Sequence, residues 1–447
     1  MNGCRIAFIG AGSTIFMRNI IGDALLTPTL ADSHFALMDI DAQRLGESAA
    51  VAQAMISGVG TGANISTHGE RRAALEGADF VVTAFQIGGY RPCTVTDFEI
   101  PKQYGLRQTI ADTVGVGGIM RGLRTVPALW DVAADMLAVC PDALLMQYVN
   151  PMAITTWGLS ARYPALKQVG LCHSVQNTVV ELAYDLDIPV ERFRYQVAGV
   201  NHVAFFLRLE AVLADGGYRD LYPLLTAGYE AGALPKPPLL RPRCANKVRY
   251  EVMQHLGYFC TESSEHLAEY VPWFIKAGRG DLIQDFGIPL DEYPTRCEEQ
   301  QAAWRAQAAD LSSVATVTRS HECAADIMDA IIGDRPYTVY GNLPNQGQLP
   351  QLPTGAAVEG PCLVDVNGVQ PTVIGDIPPQ LAALMRTQIN VHELTVRALL
   401  DENPEHLYHA AMLDPHTAAE LDLRQIRALV TDLLRAHGEW VPAWAQI

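Results

Sequence analysis

Short, continuously apolar segments alternate with helical ones through the first half of the chain. RIAFIG (5–10), HFALMDI (34–40), DFVVTAF (79–85), ALLMQYVN (143–150) and KQVGLCH (167–173) read as buried strands, while TIFMRNIIGDALL (14–26) and DAQRLGESAAVAQAMIS (41–57) carry helical spacing. A strand without polar alternation has no face to give to water. Helices between successive strands cover both faces, so the pattern predicts a parallel sheet of Rossmann type. Beyond residue 193 the pattern changes. RYQVAGVNHVAFFLRLE (194–210) reads as sheet with a break at Gly199–Asn201, GALPKPPLLRPR (232–243) as a proline-rich loop, and 379–437 as mostly helical. A chain of 447 residues exceeds one ordinary core. The expected class is α/β: a Rossmann-type domain over 1–193 and a mixed α+β domain over 194–447, separable or joined as one unit.

The charge balance narrows the partners. A net charge of −17 and a pI near 5.1 argue against a nucleic-acid surface, though a local basic pocket for an anionic partner stays compatible with them. The opening MNGCRIAFIGAGS runs straight into a strand, and no run of about 18 apolar residues suggests a membrane span, so a cytoplasmic protein is expected. The nine cysteines form no CxxC pair and read as reduced thiols, most of them in the core.

FIGAGST (8–14) follows the first strand and opens the first helix, where backbone N–H groups at a helix N-terminus can hold a dinucleotide pyrophosphate. Gly10 permits the tight turn, Gly12 lets the backbone approach phosphate, and Ser13 and Thr14 complete the candidate cradle. Ile15 stands where the third glycine of GxGxxG would be, so the turn alone is a weak motif. Asp39, at the end of the second strand, strengthens it: an acid there binds the adenosine ribose hydroxyls and favours NAD over NADP. Asp41 reads as the cap of the following helix.

GLCHSVQN (170–177) sets Cys172 and His173 side by side at the end of a strand, on the edge of the sheet where ligands bind in such folds. AGVNHVAFF (198–206) adds His202. A thiolate and an imidazole make a partial shell for a divalent transition metal and leave positions for substrate oxygens; the plainer reading is a core cysteine and a hydrogen-bonded histidine. Asn150 holds a substrate hydroxyl or caps the helix after it. In SSEHLAEYVPWF (263–274), His266 and Tyr270 share a helix face at i and i+4. Arg91 contacts substrate or caps a helix. DTVGVGGIMRG (112–122) reads as a glycine-rich loop over the nicotinamide, with Gly117 and Gly118 allowing close approach.

Taken together, FIGAGS, ALMDID, FQIGGYRPCTVTDFEIPKQYGL, TIADTVGVGGIMRGLRT, YVNPMA, GLCHSVQ, GVNH, SSEHLAEYVPWF and PCLVDVNGVQPT resemble the NAD- and manganese-dependent glycoside hydrolases of family 4, over essentially the whole chain. CHS at 172–174 is similar to the version in members acting on α-galactosides such as melibiose; the phospho-glucosidases carry Asp or Asn in place of His173. The resemblance implies Mn2+ on Cys172 and His202, His173 as general acid, Asn150 on substrate, and His266 or Tyr270 as the base. It implies oxidation at C3 of the sugar by NAD+, loss of the C2 proton, elimination, water addition and re-reduction, an exception to two-carboxylate glycosidases. It also implies a homodimer or homotetramer. The competing readings are an α-glucosidase or α-galacturonidase of the same family, an NAD-dependent hydroxy-acid dehydrogenase, and a non-catalytic NAD-binding regulator.

Overall fold

Six strands form the parallel sheet that the sequence predicts. In the computed structural model, which describes residues 3–113, 115–238, 245–309 and 316–447, β1 (Arg5–Ile9), β2 (His34–Met38), β3 (Asn64–His68), β4 (Phe80–Thr83), β5 (Leu144–Gln147) and β6 (Gln168–Gly170) run parallel in the order β3–β2–β1–β4–β5–β6. That order is the Rossmann arrangement. Strand β3 (NISTH) is not among the apolar runs; it is the outer edge strand, half-open to solvent, and needs no continuous apolar sequence. The last predicted strand is shorter than expected: β6 ends at Gly170, and Cys172 and His173 lie in the connection beyond it.

The two faces of the sheet are covered as the apolar runs require. Ile6 and Phe8 pack with Met17 and Ile20 of the Thr14–Leu25 helix and with Met328 of the Ala324–Gly333 helix. Their neighbours Ala7 and Ile9 belong to a second core with Ile119 and Leu123 of the Gly115–Val139 helix. The same core takes in Val391 and Leu399 of the Pro379–Asp401 helix and Leu429 and Leu433 of the Leu423–His437 helix. The expected helical C-terminal region therefore packs against elements of the first half.

The sheet continues past β6 with antiparallel strands. β7 (Phe193–Val200), β8 (Val203–Val212), β9 (Tyr218–Asp220), β10 (Tyr337–Pro344) and β11 (Ala357–Asp365) extend it in the order β6–β10–β11–β7–β8–β9, and β12 (Gly368–Pro371) pairs with β11. The break expected at Gly199–Asn201 is the two-residue turn Asn201–His202 between β7 and β8. The proline-rich stretch is described only as far as residue 238; its remainder and Cys244 lie outside the described residues. Among the described residues, no helix is long and apolar enough to cross a membrane.

One buried group ties this core to pH. His392, in the Pro379–Asp401 helix, is 2% exposed, and its Nδ1 has no hydrogen-bond partner among the described residues. Burial pulls the imidazole down to about 4, whereas in an unfolded chain it titrates near 6.5. Between those values the unfolded chain binds the extra proton, so this contribution is complete above pH 6.5 and is lost as pH falls towards 4. A His392→Leu variant is expected to lose about 2–3 kcal/mol less than wild type between pH 7 and pH 4.5 in urea denaturation. Parallel losses in the two proteins would show that His392 does not contribute.

Candidate active site

The turn after β1 brings its backbone close to the ends of β2 and β4. Gly10 has φ +87°, and a Cβ there would lie 2.6 Å from the Ala84 carbonyl oxygen. A Cβ at Gly12 would lie 2.6 Å from Asp39 Oδ2. The Gly10 and Ala11 N–H groups both donate to the Met38 carbonyl (3.0 and 2.8 Å), and Gly12 N–H donates to Asp39 Oδ2 (2.8 Å). Ser13 is the residue before the Thr14–Leu25 helix and its hydroxyl makes no capping bond. Thr14 begins that helix; its side chain lies outside the described residues. Asp41 caps the Ala42–Val59 helix as expected, accepting from Gln43 and Arg44 N–H (3.0 and 3.1 Å).

Three strand ends away on the same edge, Cys172 meets His202. Their Sγ and Nε2 atoms are 3.3 Å apart. His202 occupies the β7–β8 turn with φ +66°, a left-handed conformation uncommon for a residue with a side chain. Glu262, also left-handed (φ +65°), comes from the segment before the Ser264–Tyr270 helix. One ligand atom from each of Cys172, His202 and Glu262 lies within 4.8 Å of the others. Burial pushes the Cys172 thiol up to about 11, with the Glu262 and Glu359 carboxylates adding to it. A divalent cation among these donors would reverse that balance and take the sulfur as thiolate.

Tyr270 backs this cluster. Its hydroxyl is 2.9 Å from His202 Nδ1 and is also bonded to Thr113 Oγ1. Burial raises the phenol well above its ordinary range. An outer partner on Nδ1 fixes the ring and tautomer and leaves Nε2 for a metal. His266 stands edge-on to His202, with ring centroids 4.8 Å apart. Its Nδ1 is 2.8 Å from Ser263 Oγ and 3.3 Å from Glu262 Oε1, and its Nε2 is 3.9 Å from Asp112 Oδ1. Asn150 Nδ2 donates to Asp112 Oδ2 (3.1 Å). The residue before the Met152–Arg162 helix is Pro151, so Asn150 is not its cap.

The described part of the 112–122 segment is irregular only at Asp112 and Thr113. From Gly115 it is the start of the Gly115–Val139 helix. A Cβ at Gly117 would lie 2.3 Å from the Ala111 carbonyl oxygen, and one at Gly118 2.5 Å from the Thr113 carbonyl carbon. The close approach expected of these glycines is made to the chain's own backbone. Glu269 anchors that backbone, accepting from the N–H groups of Thr109 (2.5 Å), Ile110 (3.0 Å) and Ala111 (3.0 Å). Burial pushes Glu269 up to about 7 against these three donors.

His173 precedes the Ser174–Leu186 helix. Its Nε2 is 2.6 Å from Glu322 Oε2, and its ring stacks on Phe16. Burial pulls this imidazole down, but the hydrogen bond and charge of Glu322, together with Cys172 and Glu262, make the net shift upward. Arg91 is exposed, with its guanidinium over the Tyr90 ring; none of the contacts above includes it. Glu262, Asp112 and Glu322 are absent from the sequence-derived candidates. A carboxylate four residues before His266 was the available signal for Glu262.

The chain matches the model of family 4 glycosyl hydrolases over residues 5–188 and that of the family 4 C-terminal domain over 197–417. It is 44% identical to an α-galactosidase of Bacillus subtilis (strain 168) over 442 residues, covering 98% of this chain and 99% of that protein. It is 29% identical to an α-galactosidase of Rhizobium meliloti (strain 1021), covering 100% and 90%. In fold it is similar to a 6-phospho-α-glucosidase from gut microorganisms solved in complex with NAD and Mn2+, with a TM-score of 0.84, 19% identity, and coverage of 98% and 99%.

The Glu269 anchor is open to test. Glu269→Ala leaves three buried N–H groups without their acceptor and is expected to cost at least about 3 kcal/mol in urea denaturation. A loss below about 1 kcal/mol would mean that other groups hold the 109–111 segment.

Proposed function

The chain belongs to family 4 of the glycosyl hydrolases, and on that premise we propose that it hydrolyses α-galactosides with NAD+ and Mn2+ as cofactors. The observation that carries this reading is the Cys172–His202–Glu262 donor set, on the sheet edge that also bears the Gly10–Gly12 turn. Thiolate, imidazole and carboxylate suit a divalent transition metal, and the Tyr270 hydroxyl on Nδ1 of His202 directs the other nitrogen to it. The choice of sugar rests on the 44% identical α-galactosidase, which matches end to end.

When bound, NAD+ and Mn2+ would supply a reversible hydride acceptor for the sugar C3 and a Lewis acid for its C2 and C3 oxygens. The protein's own residues do the rest. Gly10, Gly12, Ser13 and Thr14 form the pyrophosphate cradle, and Asp39 is the acceptor for the ribose hydroxyls. Cys172 and His202 would hold the metal, with Glu262 as the third protein donor. Asn150, held by Asp112, presents its amide to a substrate hydroxyl. His266 is the C2 base: Glu262 and Ser263 lie at Nδ1, so a proton is taken at Nε2 and the resulting cation sits between two carboxylates. Tyr270 serves as the partner of His202, since its buried phenol resists ionisation. His173 delivers a proton to the leaving oxygen. Arg91, exposed with its guanidinium over the Tyr90 ring, is left outside the reaction.

Metal-stripped protein is expected to turn over p-nitrophenyl α-galactoside only when NAD+, Mn2+ and a thiol reductant are supplied together, without net NADH. The α-glucoside and α-galacturonide should be poorer substrates. A preference for either would reassign the sugar, and NADH accumulating on a hydroxy acid without glycoside turnover would replace the hydrolase reading by a dehydrogenase. Tyr270→Phe is expected to weaken Mn2+ binding about 10- to 100-fold, read by paramagnetic resonance of free Mn2+. Unchanged affinity would remove Tyr270 from the metal site.

A further inference from the structure

We propose that Glu322 is a positioning residue that fixes the His173 imidazole for proton delivery to the leaving group; this rests on the reading of His173 as the general acid. Glu322 lies 149 residues further along the chain, just before the Ala324–Gly333 helix, and is 4% exposed. Its Oε2 is 2.6 Å from His173 Nε2. Phe16 stacks on the imidazole at 5.6 Å with an interplanar angle of 10°, and Tyr148 lies 6.2 Å away on a tilted plane. The ring is thus held by a carboxylate at one nitrogen and by aromatic rings about it.

The backbone that carries this carboxylate is itself held. Glu322 N–H donates to Ser320 Oγ (3.0 Å). Ser320 N–H donates to Asp23 Oδ1 (2.7 Å), and the Ser320 hydroxyl donates to Asp23 Oδ2. Asp23 is fully buried in the Thr14–Leu25 helix. Arg319 Nη1 adds bonds to Thr27 Oγ1 (2.7 Å) and to the Asp23 carbonyl (3.3 Å). The helix that opens at the dinucleotide turn therefore fixes the backbone that carries Glu322.

A carboxylate at Nε2 requires a proton on that nitrogen, so the exchangeable proton is the one on Nδ1. As the C1–O bond breaks, its electron pair leaves with the oxygen and the Nδ1 proton goes to that oxygen. Nε2 keeps its own proton on Glu322, and neutral imidazole remains. Without Glu322 the ring could turn over and offer either nitrogen.

The test compares a leaving group that needs protonation with one that does not. Glu322→Ala is expected to lower kcat on methyl α-galactoside about 100-fold, with KM and NAD+ affinity little changed, and to lower kcat on p-nitrophenyl α-galactoside far less. Glu322→Gln, which keeps an acceptor in place, is expected to recover about tenfold of the loss. Equal losses on both substrates, no loss on either, or a glutamine variant no better than alanine would overturn the proposal. If the alanine variant does not fold, Glu322→Asp is read by the same leaving-group split, with the same outcomes counting against it. His173→Gln separates the two levels: if it lacks the split, His173 is not the acid and the proposal falls with that reading; if only His173→Gln has it, Glu322 alone is overturned.

Discussion

Parallel strands must deliver their C-terminal ends to a common edge, and the site depends on that constraint. The turn after β1, Asn150 after β5 and Cys172 after β6 share the edge because β1, β4, β5 and β6 are hydrogen-bonded in parallel register. The antiparallel continuation contributes the rest. Gly170 pairs with Asn342, Asn342 with Glu359, and Glu359 with Gly199. This row ties the end of β6, two residues before Cys172, to the end of β7, three residues before His202. Asn342 Nδ2 reinforces it with bonds to the Gly170 carbonyl and to Glu359 Oε1, both 3.3 Å.

The pocket gathers negative charge. Asp112, Glu262, Glu322 and Glu359 are all at most 8% exposed. Burial raises Glu359 above the usual carboxylate range, and its Oε2 has no hydrogen-bond partner among the described residues. Carboxylates packed this closely in a low-dielectric interior are costly unless cations or protons compensate them. A divalent ion among Cys172, His202 and Glu262 would meet part of that demand. Two of these carboxylates, Glu262 and Glu359, add to the burial that raises the Cys172 thiol.

The central sheet was readable because its strands are continuously apolar; the polar edge strand β3 was not, because solvent takes its outer side. Cys172, His202 and the His266–Tyr270 pair could be found from strand ends and helical spacing. The spacing placed His266 and Tyr270 on one helix, as the Ser264–Tyr270 helix bears out, but could not tell which group would meet the His202 ring. Glu262 escaped because it lies in a left-handed turn, where neither period applies. Glu322 reaches His173 across 149 residues, a pairing that only the folded chain reveals. The glycines at 117 and 118 were correctly read as points of close approach, but the neighbour was misjudged: they admit the 111–113 backbone.

The Gly115–Val139 helix has apolar residues on almost every side, as suits an element enclosed by others. Part of its enclosure comes from Val391, Leu399, Leu429 and Leu433, near the far end of the chain. During synthesis, the first half emerges from the ribosome hundreds of residues before those side chains exist. Until then the nascent sheet-and-helix layer carries an uncovered greasy flank, the kind of surface that invites chaperone capture or self-association. A chain cut off before its last helices would keep every residue of the catalytic edge and still lack the lid of its own core.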